Sequence, residues 1–245
     1  MQGTVTVIPV DKTTLGIKIT AIIPAAGTGE RLGMGKRKPY VLLNNRPLLY
    51  YSLAALERIP FIQQVIVAVC PGDERHCRET VIKKFHFKKD IQIISGGAHR
   101  QESVRRLLEQ VAADAHLVLI HDGARPFITP ELLEKAISET MAWKATAVAV
   151  PVKDTIKSVK RNFVVKKTLC REQLWAIQTP QTFEKTLICA AHEKARTDGF
   201  VGTDDAALVE RLGVPVKIVM GSYDNIKITT PEDLIVAEAL LKKRK

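Results

Sequence analysis

Six short, nearly continuous apolar runs recur along the chain, and each closes on a turn of small or polar residues. They are Ile19–Pro24, Gln64–Val69, Ile91–Ile94, Leu117–Ile120, Ala145–Val152 and Val216–Met220. Runs of this length without polar alternation suit strands buried on both faces. Helical patterns lie between them. Pro47 to Arg58 carries Leu48, Leu49, Leu53 and Leu56, and Gln101 to Ala113 carries Val104, Leu107, Leu108 and Val111 at helical spacing. Asp73 to Phe85 follows a Pro-Gly turn. Thr129-Pro130-Glu131 and Thr230-Pro231-Glu232-Asp233 are helix starts, with a capping hydroxyl, a proline in the first turn and acids beside it. Alternating strand and helix predicts βαβ units, hence an α/β fold with a mainly parallel sheet flanked by helices. An α+β arrangement of the same elements is the alternative.

One stretch breaks the alternation. Between about 153 and 178, two polar extended runs, Thr155–Val159 and Phe163–Leu169, surround Arg161-Asn162. This predicts a projecting β-hairpin arm. A lone hairpin is marginal in water, so the arm is expected to pack on a second subunit.

With 245 residues, 46% of them apolar and 26% charged, the chain has an ordinary globular composition and can bury a real core. No apolar run approaches the ~20 residues of a membrane helix, and the start lacks a basic leader, so no membrane partner and a cytoplasmic location are expected. Residues 1–18 read as an N-terminal extension, 19–241 as one domain, and 242–245 as a basic tail. The net charge is +11 and falls only to +7 without that tail, which favours anionic partners. Nucleic acid is not expected: zinc-finger spacing is missing and aromatic residues are only 5%. Cys70, Cys77, Cys170 and Cys189 have no C-x-x-C spacing, and reduced thiols are expected.

The chemistry gathers at the ends of the runs, where open α/β sheets bind ligands. The first run feeds Pro24-Ala25-Ala26-Gly27-Thr28-Gly29-Glu30-Arg31, a small-residue loop whose backbone N–H groups can approach a phosphate. It is neither the dinucleotide fingerprint nor a P-loop. Arg31, Lys36, Arg37 and Lys38 follow and can gather on one anion, or form a solvated basic loop. The third run ends in a second glycine turn, Gly96-Gly97, with Arg100 and Ser103 in the helix it opens. The fourth ends in His121-Asp122-Gly123-Ala124-Arg125-Pro126. There Asp122 can hold a hard divalent ion and Arg125 a phosphate, or the two can pair to fix the loop. His121 reads as structural.

Taken in order, these motifs resemble the 2-C-methyl-D-erythritol 4-phosphate cytidylyltransferase family of the non-mevalonate isoprenoid pathway. The resemblance covers about Ile19 to Leu241. Its motifs are P-A-A-G-x-G-x-R at 24–31, the glycine turn at 96–103, H-D-G-A-R-P at 121–126 and D-T at 154–155. Q-T-P-Q at 178–181, T-D-D-A at 203–206 and D-N-I-K-I-T at 224–229 complete the set. The resemblance implies a Rossmann-like nucleotidyltransferase and a homodimer built by the β-arm. It also implies attack of a sugar-alcohol phosphate on the α-phosphate of CTP, with Mg²⁺ and release of pyrophosphate. A phosphate monoester, with a second pKa of ~6, is already ionised at pH 7, so no general base is needed. The task is electrostatic, and positioned cations perform it.

Carried over residue by residue, the resemblance gives Arg31 and Lys38 to the transition-state charge, and Arg171 and Lys227 to aiming the attacking phosphate. Ala25, Ala26, Gly27, Gly97, Arg100 and Ser103 would hold the nucleotide. Asp122 would hold nucleotide and metal, and Arg125, Thr155 and Thr203 would face the sugar phosphate. Where the family usually has Lys-Gln-Tyr, this chain has Lys38-Pro39-Tyr40, and Pro39 stiffens the loop. The competing readings are a ribitol-5-phosphate cytidylyltransferase and a non-catalytic nucleotide- or nucleic-acid-binding module.

Overall fold

A computed structural model describes residues 16–27, 29 and 37–244. Its central sheet has seven strands. In chain order they are β1 (Ile19–Pro24), β4 (Ile62–Val69), β5 (Asp90–Ser95), β6 (Leu117–Ile120), β7 (Ala145–Pro151), β10 (Trp175–Glu184) and β11 (Lys217–Met220). Two short pairs stand apart, β2 (Leu42–Leu43) with β3 (Arg46–Pro47), and β8 (Lys157–Val159) with β9 (Val165–Thr168). The sheet order is β11-β7-β10-β6-β1-β4-β5, and every strand is parallel to its fellows except β10. The fold is the expected Rossmann-like one. From β1 the chain builds outward through β4 and β5, then returns to place β6 on the other side of β1. That reversal opens a crevice at the carboxyl ends of β1 and β6.

Alternation within each strand divides the core between the two faces of the sheet. Ala21 and Ile23 of β1, with Val65 and Val67 of β4, pack under α1 (Leu48–Glu57) and α4 (Pro130–Trp143). Ile22, Ile66, Val118 and Ile120 face the other way, under α3 (Arg100–Leu108) and α5 (Lys185–Thr197). Both proline starts are helix N-termini. Thr129 caps α4 by accepting from the Leu132 N–H, and Thr230 with Asp233 forms a capping box on α7 (Pro231–Lys243). The Asp73–Phe85 segment divides into α2 (Glu74–Cys77) and a π-helical stretch at Arg78–Lys83. The short helix α6 (Asp205–Glu210) is capped by Asp204.

The hairpin is present but shorter than the sequence suggests. Its strands are β8 and β9, and Phe163 turns with a positive φ of 62°. Residues from Trp175 onward are not part of it. They form β10, a seventh sheet strand that the sequence reading lacks, inserted antiparallel between β6 and β7. Its pairing with β7 jumps between Ile177 and Gln181, where Thr179–Pro180 is a cis peptide. The extra residues bow out of the ladder, as a bulge does, and re-aim Gln178 and Thr179.

Candidate active site

A cavity of about 380 Å³ opens at the crevice beside β1. Its floor is the loop after β1, Pro24 to Gly27. Its walls are the turn Gly97–Arg100 with Ser103, the loop Asp122–Ala124, Lys38 with Pro39, and Lys227. The floor is anchored by the Ala25 N–H on the Ala68 carbonyl and by the Cys70 thiol on the Ala26 carbonyl. Gly96 brings the second turn against it: a Cβ there would lie 2.3 Å from the Cβ of Ala26. Gly29 has φ +79° and lies against the Lys38 backbone, so glycine is required where the two meet. Lys38 opens a 3-10 turn, Lys38–Tyr40, in which buried Pro39 occupies a first-turn position that needs no N–H. The proline therefore fits the turn that presents Lys38.

The charge pattern suits a polyanion. Lys38, Arg100 and Lys227 line the cavity against one carboxylate, Asp122. Asp122 Oδ1 accepts from Arg100 Nε at 3.1 Å, and Oδ2 forms an ion pair with Lys227 Nζ at 2.7 Å. Burial would raise the Asp122 carboxyl, but Arg100, Lys227 and Arg125 outweigh it and hold the group well below the usual carboxylate range. Arg100 also reaches Asp205, Nη1 to Oδ2 at 2.8 Å. Burial works against the Arg100 charge, and the two carboxylates more than restore it.

Behind the cavity the polar groups are laced together. The Asp122 N–H donates to Thr179 Oγ1 at 3.0 Å, and Thr179 Oγ1 lies 3.1 Å from His121 Nδ1. His121 Nε2 lies 3.3 Å from the Arg125 carbonyl. One tautomer satisfies all three contacts: Nε2 protonated and donating to the carbonyl, Nδ1 accepting from the threonine hydroxyl. Burial pushes the imidazole down to about 4, so it is neutral near pH 7. His121 is structural, as the sequence suggests. Arg125, expected to face the sugar phosphate, is held from within the loop. It is buried, does not line the cavity, and donates to the carbonyls of Asn225 (2.8 Å) and Ile177 (3.4 Å). With the Ile228 N–H on the Ala124 carbonyl, it fixes the loop that presents Lys227. Ser103 lines the cavity, yet its hydroxyl accepts from the Gly97 N–H and donates to the His99 carbonyl, holding the turn.

The family model for IspD, 2-C-methyl-D-erythritol 4-phosphate cytidylyltransferase, matches residues 19–243. The chain belongs to this family. A cytidylyltransferase of that name from Caldanaerobacter subterraneus subsp. tengcongensis is 48% identical over 227 residues, covering 93% of this chain and all of the relative. One from Desulforamulus reducens is 49% identical, covering 92% of this chain and 97% of its own. Among solved structures, the 4-diphosphocytidyl-2C-methyl-D-erythritol synthase of Anaerococcus prevotii superposes with a TM-score of 0.84. It shares 37% identity over 93% of this chain and 97% of that one.

Of the residues that the family resemblance implies, the cavity gathers Ala25, Ala26, Gly27, Lys38, Gly97, Arg100, Ser103, Asp122 and Lys227. Arg31 lies outside the described residues, as do residues 1–15. Thr155, Arg171 and Thr203 are exposed and do not line the cavity. Arg171 opens a 3-10 turn at the base of the arm and donates to the Lys153 carbonyl. Sequence reasoning gave no role to Asp205, His192, Thr179, Gln181 or Asn225. Three of these sit within the T-D-D-A and Q-T-P-Q motifs, and Asn225 within D-N-I-K-I-T. His192 sits in no motif.

Proposed function

We propose that the chain joins 2-C-methyl-D-erythritol 4-phosphate to CTP, giving 4-diphosphocytidyl-2-C-methyl-D-erythritol and pyrophosphate. The observation that carries this reading is the crevice at β1 and β6, lined by Lys38, Arg100 and Lys227 with the buried carboxylate of Asp122 paired to the last two, in a chain of the IspD family. A phosphate oxygen of the sugar alcohol attacks the α-phosphorus of CTP. That O–P bond forms as the bond from the α-phosphorus to the bridging oxygen breaks, and pyrophosphate leaves with the electron pair.

The residues divide the work by charge and reach. The loop Ala25–Gly27 and the turn at Gly97 bring backbone close to the nucleotide. Lys38 meets the charge that builds on the α-phosphate and the leaving group, with Arg31 in the same role. Pre-set cations of this kind cost no reorganisation as the reaction proceeds. Lys227, held by Asp122 and by the loop that Arg125 fastens, aims the attacking phosphate with Arg171.

Asp122 also fits a divalent cation. No group of three His, Cys, Asp or Glu side chains that could hold a metal exists among the described residues. One ionised carboxylate facing a triphosphate is the donor set Mg²⁺ takes, with phosphate oxygens and water completing the shell. When bound there, the ion would neutralise phosphate charge and orient the triphosphate.

Arg171 and Thr155 do not line the cavity of their own chain, and in this reading they serve the cavity of another copy. The exposed apolar side chains of the arm, Val159, Phe163, Val164 and Val165, support that arrangement. A homodimer follows, with each site completed by the partner's arm. Among the described residues no helix is long and apolar enough to cross a membrane. This fits an enzyme working in the cytoplasm on small charged substrates.

The test is pyrophosphate release by the purified protein with Mg²⁺ and CTP, offering 2-C-methyl-D-erythritol 4-phosphate and ribitol 5-phosphate separately. Release with the first alone is expected. Release with ribitol 5-phosphate alone would move the substrate assignment, and silence with both would overturn the reaction.

A further inference from the structure

Arg100 is aimed from behind, by residues that never reach the cavity. Asp205, the first residue of α6, is wholly buried, and its Oδ2 lies 2.8 Å from Arg100 Nη1. Its Oδ1 lies 3.1 Å from Nε2 of His192, a buried residue of α5. Burial would raise the Asp205 carboxyl, but Arg100 and His192 reverse this and keep it ionised. An ionised carboxylate only accepts, so Nε2 carries the proton and His192 donates. The opposite nitrogen, Nδ1, is buried without a hydrogen-bond partner among the described residues. An imidazole half satisfied in this way weakens the core. What it supplies is a fixed plane for the Asp205 carboxylate, with Oδ2 turned to Arg100.

The backbone beneath is equally constrained. Gln181 Oε1, on β10, accepts the N–H groups of Asp205 (3.1 Å) and Ala206 (3.0 Å). Gln181 Nε2 donates to Asp204 Oδ2 at 2.7 Å. The start of α6 is thus pinned to the sheet strand whose bulge serves the cavity. Arg100 donates one N–H to Asp122 and forms an ion pair with Asp205, whose Oδ2 has no hydrogen-bond partner among the described residues. Without Asp205 the guanidinium would hold to Asp122 alone, which Lys227 already shares.

We propose that Asp205 and His192 are a buried positioning pair that aims Arg100 into the cavity and thereby sets affinity for the nucleotide. This rests on the reading that the cavity takes CTP. The pair predicts a split between substrates: CTP binding depends on it, and the sugar phosphate, aimed by other cations, does not.

The experiment compares wild type with Asp205→Asn, His192→Ala and His192→Gln. CTP affinity is measured by calorimetry with Mg²⁺ and no second substrate, beside steady-state KM for each substrate and the unfolding temperature. Asp205→Asn should weaken CTP about tenfold, because it removes the charge of the buried ion pair that aims Arg100. His192→Ala should weaken CTP several-fold, and His192→Gln, whose amide N–H restores the donor, should recover most of it. KM for CTP should rise in parallel while KM for the sugar phosphate holds. Unchanged CTP affinity with only a lower unfolding temperature would overturn the proposal, as would equal damage to both substrates. If Asp205→Asn does not fold, the His192 variants decide: glutamine as harmful as alanine would sink the pair. A wild-type protein that binds no CTP would instead overturn the reading of the cavity itself.

Discussion

His121 occupies a position where one proton decides whether three hydrogen bonds agree. Neutral, it accepts from Thr179 and donates to the Arg125 carbonyl; charged, it would present a second donor to a hydroxyl already oriented toward it. Its folded pKa of about 4 lies below the unfolded value of ~6.5. The unfolded chain therefore binds the proton first as pH falls. The stability that His121 contributes is complete above about pH 6.5 and is lost as pH falls toward 4, up to about 3 kcal/mol. Urea denaturation of wild type and His121→Asn across that range should show the wild type falling more steeply. Parallel curves would mean that the histidine is not held neutral. Asp122 acts in the same direction at lower pH. Its depressed carboxyl adds stability above its ordinary range, and that contribution fades as acid protonates it.

The arm and β10 show why some elements were legible and others were not. Six strands announced themselves because their runs are mostly apolar, the inner ones β1, β4, β6 and β7 being buried on both faces. β10 sits as deep as they do, yet it reads Gln178-Thr179-Pro180-Gln181-Thr182, with a proline that argues against a central strand. Gln178, Thr179 and Gln181 are buried because each meets a partner. Gln178 and Thr179 meet the loops at Asn225 and Asp122, and Gln181 meets the start of α6. Such pairings run across 24 to 58 residues of sequence, and no local pattern encodes them. The same limit applies within the site. Glycines and cations marked the loops, but nothing local distinguished Arg125, locked onto carbonyls, from Arg100, which faces the cavity. The arm carries its own test. Phe163 is 89% exposed and should be covered in the dimer. Phe163→Asp should shift the protein toward monomer in sedimentation, with far-UV circular dichroism unchanged and activity reduced. A dimer of undiminished activity would remove the arm tip from the interface.

Across the whole molecule, Lys38 and Arg171 belong to different regions of one chain: the first lines the cavity, the second stands at the root of the arm. If each site takes Lys38 from one subunit and Arg171 from its partner, two crippled chains can rescue each other. Lys38→Ala and Arg171→Ala should each abolish most turnover alone. Co-expressed, they should recover roughly a quarter of wild-type activity, because half the dimers are mixed and each mixed dimer has one intact site. Recovery no greater than the parents' sum would place both residues in one subunit's site. The path between these regions is β10. It leaves the arm at Trp175, runs behind the cavity at Thr179 and enters α5 after Glu184, paired with β7 at Trp175–Ile177 and with both β6 and β7 at Gln181–Phe183. Mechanically it is a tie-rod. The arm is continuous with a strand tied into the sheet, so a load on the arm bears on the strand whose Thr179 holds the Asp122 N–H.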